Sequence, residues 1–267
     1  MNPHTSVSQM NTFWRCAIQY YWRYPMGLKV PPGVTLIIGK GGHKSVESNL
    51  NAKKDNGVLL PESDVLDIAA EAVNAEWDKE PPRLSPEEQT EGEKNVRGKA
   101  VDRAVLLSRL HHCKVAPDII PTGVEREWRL EIPHLSVDLV GIIDVCEPDR
   151  IRDTKFKSKS PTAGEVDGSL QFTAYHLARK VIDGVDCKLQ MDALVSTKEA
   201  KYVPMPTTRT VADHQDLLNR LCVMQEAIEK GVFLPCQRDS WACSEKWCGY
   251  FNDVCPYGRK GRERVTA

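Results

Sequence analysis

The chain carries no excess of charge of either sign: 36 Lys and Arg stand against 37 Asp and Glu, a net charge of −1. Bulk electrostatics therefore does not advertise nucleic-acid binding, and any such partner must meet a local basic patch. No apolar run reaches the roughly 18 residues that a membrane span needs, and the opening MNPHTSVSQMNTFWRC holds no signal-peptide core. A soluble, intracellular (cytoplasmic) protein without a membrane partner is expected. No internal repeat and no helicase motif is visible. With 267 residues, 41% of them hydrophobic, the chain is globular, not disordered. At roughly 100–200 residues per domain it reads as one large domain or one domain with a helical elaboration.

Val34 to Ile38 followed by Gly39-Lys40-Gly41-Gly42 looks at first like a strand entering a phosphate-binding loop. His43 stands before Lys44-Ser45 where a Walker A motif requires Gly, so the motif fails. The glycines instead suit a helix starting near His43 that approaches its neighbours closely. An aromatic helix is expected over Ser8 to Tyr24. A second follows over Glu62 to Trp77, with Val65, Ala69, Val73 and Trp77 at helical spacing. A third starts at Ser85-Pro86-Glu87-Glu88, with a capping Ser, Pro at the first position and Glu at the third, and runs towards Leu110. These helices read as a cap beside the core. From Thr122 the texture changes to strands over Val124 to Ile132, Leu135 to Val145 and Arg150 to Phe156. A helix over Asp167 to Ile182, strands over Cys187 to Ser196 and near Lys201 to Met205, and a helix from Ala212 to Lys230 stopped by Gly231 complete the pattern. The order indicates an α/β core with a mixed sheet.

The most informative stretch runs from Gly141-Ile142-Ile143-Asp144 through Glu147-Pro148-Asp149-Arg150 to Asp153-Thr154-Lys155. If the turn centres between Pro148 and Asp149, Asp144 faces Asp153 across an antiparallel pair. Asp153 and Lys155, two apart on one strand, point to the same face. Like charges opposite one another destabilise a strand pair, so a compensating cation is needed. A divalent ion such as Mg²⁺ or Mn²⁺ suits carboxylate oxygens and leaves positions for water and a phosphate. The alternative is that Asp153 merely pairs with Lys155 or Arg152 on a wet edge strand.

Gly141-Ile142-Ile143-Asp144, Asp153-Thr154-Lys155 and Gln171-Phe172-Thr173-Ala174-Tyr175 resemble the GxxD, DxK and QxxxY series of the RecB-like branch of the PD-(D/E)XK nuclease superfamily. Upstream, Gly39, Gly42, His43 and Glu47 resemble the branch's G-x-x-H helix, and Ser8 to Tyr24 its opening aromatic helix with an embedded cysteine. The resemblance implies His43, Asp144 and Asp153 as ligands of Mg²⁺ or Mn²⁺, completed by the carbonyl of Thr154. It makes Asp144, Asp153 and Lys155 the catalytic set, with Lys155 positioning the attacking water. Gln171 and Tyr175, four apart on one helical face, would line the nucleic-acid strand. Glu125 or Glu127 would supply an auxiliary carboxylate. Lys155, Lys157 and Lys159, with Arg259, Lys260, Arg262 and Arg264 of the tail, could meet backbone phosphates.

Nine cysteines are present. Cys113, Cys146, Cys187, Cys222 and Cys236 lie in or beside apolar segments and read as buried thiols. Cys243, Cys248 and Cys255 fall within 13 residues and end on Cys-Pro, a constellation that favours metal, either zinc or an iron-sulfur cluster. By resemblance to the cluster-bearing members of the branch, similar to CRISPR-adaptation and AddB-type nucleases, Cys16 joins these three around a [4Fe-4S] cluster. Zn²⁺ is the alternative, and Cys236 is a rival to Cys16. Four residues separate Cys243 from Cys248, where relatives often have two.

The resemblance thus implies a restriction-endonuclease-like α/β core with a mixed central sheet flanked by helices, a helical cap and an iron-sulfur staple joining the two ends. The expected layout is a single nuclease domain over 1–267: an N-terminal cluster segment (1–33), a helical region (34–118), a catalytic core (119–206) and a C-terminal helix with the cysteine segment (207–267). The expected activity is metal-dependent hydrolysis of phosphodiester bonds in DNA, single-stranded or at duplex ends, as an exonuclease in repair, recombination or processing. A helicase or recombination protein is the expected protein partner. The alternative is a non-catalytic DNA-end-binding subunit of a repair or CRISPR-adaptation complex.

Overall fold

The computed structural model of the chain describes residues 3–259; Lys260, Arg262 and Arg264 lie outside the described residues. The chain divides into two compact units. One comprises Met1–Val30, Arg129–Val140 and Val211–Ala267, the other Pro31–Trp128 and Gly141–Thr210. No helix among the described residues is long and apolar enough to cross a membrane.

The second unit holds α3 (Val34–Asn56), α4 (Glu62–Lys79), α5 (Pro86–Glu91), α6 (Glu93–Lys114), β4 (Arg150–Lys157), α7 (Ala163–Asp167), α8 (Leu170–Asp183), β5 (Lys188–Val195) and β6 (Lys201–Thr207). Strands β2 (Gly123–Glu131) and β3 (Asp138–Cys146) run through both units. β3 pairs antiparallel with β4, β4 parallel with β5, and β5 antiparallel with β6, so the sheet is mixed and β4 lies inside it. β2 adds to β3. In the hairpin, Val145 pairs with Arg152 and Cys146 with Ile151, the register expected from a turn between Pro148 and Asp149.

The segment Val34 to Ile38 is the first turn of α3, not a strand, and the helix begins well before His43. Its β-branched residues favour a strand locally, but packing decides. Val34, Ile37 and Ile38 fall on the stripe that buries against Val73 and Trp77 of α4 and Val96, Ala100 and Ala104 of α6. Further along, Val46 and Leu50 join Leu107, Val145, Phe156 and Leu194, which seats α3 and α6 against the sheet. Two glycines make this possible. A Cβ at Gly41 would meet Val73 Cγ2 at 2.4 Å, and one at Gly42 would meet the Phe156 ring at 2.2 Å. Gly39 faces open space.

The helix expected from Ser85 to Leu110 is two helices. The capping box of Ser85 and Glu88 starts α5 as expected, but Gly92 at φ 89° ends it and α6 begins afresh. The helix expected over Asp167 to Ile182 is α8, which starts three residues later, after the short and unforeseen α7, and is capped by Ser169, whose side chain accepts from Phe172 N–H.

In the first unit, a short strand β1 (His4–Ser6), unforeseen in the sequence, pairs parallel with the start of β3, and α1 (Val7–Arg15) begins with a capping box of Ser6 and Gln9. The single aromatic helix expected here breaks at Cys16, whose backbone is extended (φ −166°, ψ 103°), before α2 (Ala17–Arg23). Helix α9 (Val211–Glu229) ends ahead of Gly231 at φ 66°. Of the cysteines expected to be buried, Cys146 and Cys187 are, Cys236 is half-buried, and Cys113 and Cys222 are exposed. The last two lie on α6 and α9, and the Cys113 thiol donates to Glu62 Oε2 at 3.5 Å.

Candidate metal centre

The site grows from the β3–β4 hairpin. Its turn is tied down by two buried arginines. Arg152 Nε donates to Glu147 at 2.6 Å and Nη1 lies 3.3 Å from both oxygens of Asp192, while Arg179 Nη2 donates to the carbonyls of Glu147 and Pro148. Removing one partner of such a buried ion pair typically costs about 3–5 kcal/mol. Arg152 is therefore committed to Glu147 and Asp192, and Asp153 is fully buried within the sheet. The wet edge strand considered for Asp153 does not exist.

With the hairpin fixed, Asp144 reaches across to β4, and its Oδ2 accepts from Thr154 N–H at 3.0 Å. On β4, Lys155 Nζ donates to Asp153 Oδ1 at 2.8 Å and stands 2.8 Å from Oδ2. Asp153 Oδ2 nevertheless has no hydrogen bond of acceptable geometry, although it is buried. From α3, His43 Nδ1 lies 3.5 Å from Asp144 Oδ2. The ring rests beside Phe156 at 5.6 Å, the same ring that Gly42 accommodates. From β2 comes Glu125, whose backbone takes the uncommon left-handed conformation (φ 47°). Ligand atoms of His43, Glu125 and Asp144 lie within 4.8 Å of one another. Asp153 stands beside this trio, drawn to Lys155. Of the two auxiliary carboxylates considered, Glu125 enters the site and Glu127 is exposed. Nothing in the local sequence separates them; the left-handed turn at Glu125 does.

The electrostatics follow from packing acids together in a shielded place. Burial, followed by the charges of Asp144, Glu47 and Asp153, pushes the Glu125 carboxyl up to about 7. Burial pushes Asp153 up to about 6, against the pull of Lys155, and raises Asp144 as well. Burial and the nearby Lys155 cation push His43 down to about 4. Lys155, despite burial, is held above its ordinary value by Asp153 and Asp144. At neutral pH His43 is therefore a neutral imidazole, set among carboxyls that burial makes harder to ionise. That donor set, mostly oxygen with one imidazole, matches a hard or borderline divalent ion.

Gly141 has its own reason: a Cβ there would lie 2.5 Å from the Trp128 ring, so the glycine lets Trp128 lie across β3. Trp128 meets Tyr175 of α8 edge-on at 6.5 Å. Gln171 Nε2 donates to the Tyr175 hydroxyl at 2.6 Å, and burial together with Asp153 and Asp144 raises the phenol well above its usual value. Lys157 is ion-paired with Glu165, and Lys159 and Arg259 are exposed.

The cysteines form a separate feature within the first unit. Cys16, Cys236, Cys243, Cys248 and Cys255 line one small cavity. Cys236 N–H donates to Cys16 Sγ at 3.4 Å, and burial with Cys16 and Cys243 pushes the Cys236 thiol up to about 12. No three of these sulfurs lie within 4.8 Å of one another.

A sequence model of the PD-(D/E)XK nuclease superfamily matches residues 4–257, and the chain belongs to that superfamily, whose nucleases are metal-dependent. The fold is similar to a solved structure from Eubacterium rectale described as a candidate exonuclease, with a TM-score of 0.59 and 12% identity over 90% of this chain and 86% of that one. A second solved structure, SSO0001, aligns with 11% identity over 91% of this chain and 96% of that one, but its TM-score of 0.36 is too low to define a shared fold. No curated protein sequence matches.

Proposed function

We propose that this chain is a Mg²⁺- or Mn²⁺-dependent DNA nuclease of the RecB-like branch, acting as an exonuclease on single strands or duplex ends. On this reading the whole chain works as one nuclease domain, with unwinding left to a helicase or recombination protein. The observation that carries the reading is the convergence of His43, Glu125 and Asp144 within 4.8 Å, with the Asp153–Lys155 pair beside them. A pure DNA-end binder has no use for that set. The likeness to a candidate exonuclease supports the same class.

His43, Asp144, Asp153 and the Thr154 carbonyl would hold the ion. The fit is supported by Asp153 Oδ2, buried with no hydrogen bond, and by carboxyls whose pKa values are raised in the absence of a cation. When bound, the ion supplies Lewis acidity, neutralising phosphate oxygens and acidifying water. Lys155, held by Asp153, orients the attacking water and meets negative charge as it develops on the phosphate. Tyr175 stays protonated over the whole working range and, with Gln171 accepted on its oxygen, has its proton free for a phosphate oxygen. The neutral His43 offers a lone pair to the ion.

The first unit is proposed to hold a [4Fe-4S] cluster on Cys16, Cys243, Cys248 and Cys255. All four line one cavity, and the Cys236 amide pointing at Cys16 Sγ is the kind of hydrogen bond that tunes cluster potentials. Zn²⁺ on the same thiolates is the alternative.

The test is an anaerobic assay of the purified protein on end-labelled single- and double-stranded DNA with Mg²⁺ or Mn²⁺, alongside iron analysis and Mn²⁺ titration. Metal-dependent release of nucleotides is expected, and His43→Ala should weaken Mn²⁺ binding without loss of iron. DNA binding without cleavage under every metal tested would favour the end-binding subunit instead.

A further inference from the structure

Outside the ligands, the centre opens into a groove of about 490 Å³ between α3 and α4. One wall is a single face of α3, where Lys40, His43, Lys44 and Glu47 follow one another at helical spacing. The other wall is Ala72, Ala75 and Glu76 of α4. The two alanines keep the groove open, while their neighbours Val73 and Trp77 are turned into the core. Lys40 and Lys44 are both about half exposed and each is held by a carboxylate: Lys40 by Glu76 at 2.5 Å and Lys44 by Glu47 at 2.9 Å.

We infer that this groove is the subsite for the nucleotides adjoining the scissile bond, with Lys40 and Lys44 as its phosphate contacts; the inference rests on the nuclease reading of the centre. Lys40 stands three residues from His43 on the same helical face, about 4.5 Å along the axis, on the scale of one nucleotide step along a strand. A phosphate at the ion beside His43 and Asp144 therefore brings its neighbour to Lys40. Exposed ion pairs of this kind are weak, so a phosphate can replace Glu76 and Glu47 as partner.

The test is the salt dependence of binding of a labelled single-stranded oligonucleotide, with Ca²⁺ in place of Mg²⁺, followed by cleavage with Mg²⁺. Each lysine–phosphate contact contributes about 0.7 to the slope of log K against log salt. The Lys40→Gln/Lys44→Gln double variant should therefore lose about 1.4 in slope, while Lys180→Gln and Lys188→Gln change nothing. Glu76→Gln should bind more tightly, because it frees Lys40; a merely structural bridge predicts a lower melting temperature with no gain in binding. A wild-type slope in the double variant, or Glu76→Gln binding no better than wild type, would overturn the inference. Absence of cleavage by the wild-type protein, with the slope effect intact, would instead sink the nuclease reading and leave the groove as a strand-binding site.

Discussion

The two candidate metal-binding regions are built in opposite ways. Around Asp144 the donors sit on β2, β3, β4 and α3, and each backbone is set by packing that involves no metal: Gly42 against Phe156, Gly141 against Trp128, and Arg152 between Glu147 and Asp192. Three ligand atoms are already within 4.8 Å. In the cysteine region four of the five thiols come from the irregular turns between residues 236 and 255, and the fifth from the break at Cys16. Their sulfurs share a cavity, with Cys236 beside Cys16 and Cys243, and no three of them lie within 4.8 Å of one another. A hard-ion centre can be assembled by the fold beforehand, whereas a thiolate centre in a segment with little regular structure depends on its ligand for order, and there ligation becomes folding free energy.

The largest effect expected from this contrast is on chemistry. Asp153→Asn and Lys155→Ala should each lower the cleavage rate about a hundredfold or more, as loss of one such charge typically does, with the fold retained. Either variant cleaving at the wild-type rate would remove these residues from the site. Asp153 also carries a stability signature. Because burial raises its folded pKa to about 6, the metal-free protein loses stability as pH rises from about 4, the ordinary aspartate value, to that value. Asp153→Asn should abolish that loss, so metal-free Asp153→Asn melts no lower than wild type above pH 6.

Next in size is the response of the cysteine region. Cys16→Ser should remove iron and lower the melting temperature, and Cys236→Ser should leave both nearly unchanged; the reverse pattern would make Cys236 the fourth ligand. Smaller is Gly42→Ala. The added methyl must push Phe156 away, an overpacking that typically costs about 1–3 kcal/mol, and His43 moves with it. Melting temperature and Mn²⁺ affinity should both fall while iron content holds. Unchanged Mn²⁺ affinity would show that the centre does not depend on this packing.

A last effect separates proton uptake in the core from events at the metal. Burial, then the charges of His43, His112 and Arg152, push His111 down to about 3. Its folded pKa lies below its unfolded one, so the unfolded chain takes up the proton first and stability falls as pH drops from about 6.5 towards 3. His111→Leu should flatten that acid arm in a melting series at fixed salt. An unaltered arm would assign the acid sensitivity to other groups.

Elements defined by local pattern were legible in the chain. The hairpin and its register, the capping box at Ser85 and the stop at Gly231 depend on residues a few positions apart. The failures have one cause. Val34 to Ile38 has strand-like residues but a helical burial stripe that becomes visible only with α4 and α6 in place. The breaks at Cys16 and Gly92 depend on what each half packs against. Glu125 and Glu127 are equivalent in sequence, and only the φ of 47° at Glu125 distinguishes them.

By itself, then, the sequence determined the α/β class, the order of its elements and the pairs that a strand or helix repeat brings together: Asp153 with Lys155, and Gln171 with Tyr175. Only the tertiary structure decided which distant groups meet. His43 lies 101 positions from Asp144, and it reaches that carboxylate because two glycines let α3 press close to α4 and the sheet. Periodicity and turn chemistry act over a few residues, whereas a metal centre is set by the packing of whole elements, which no local pattern encodes.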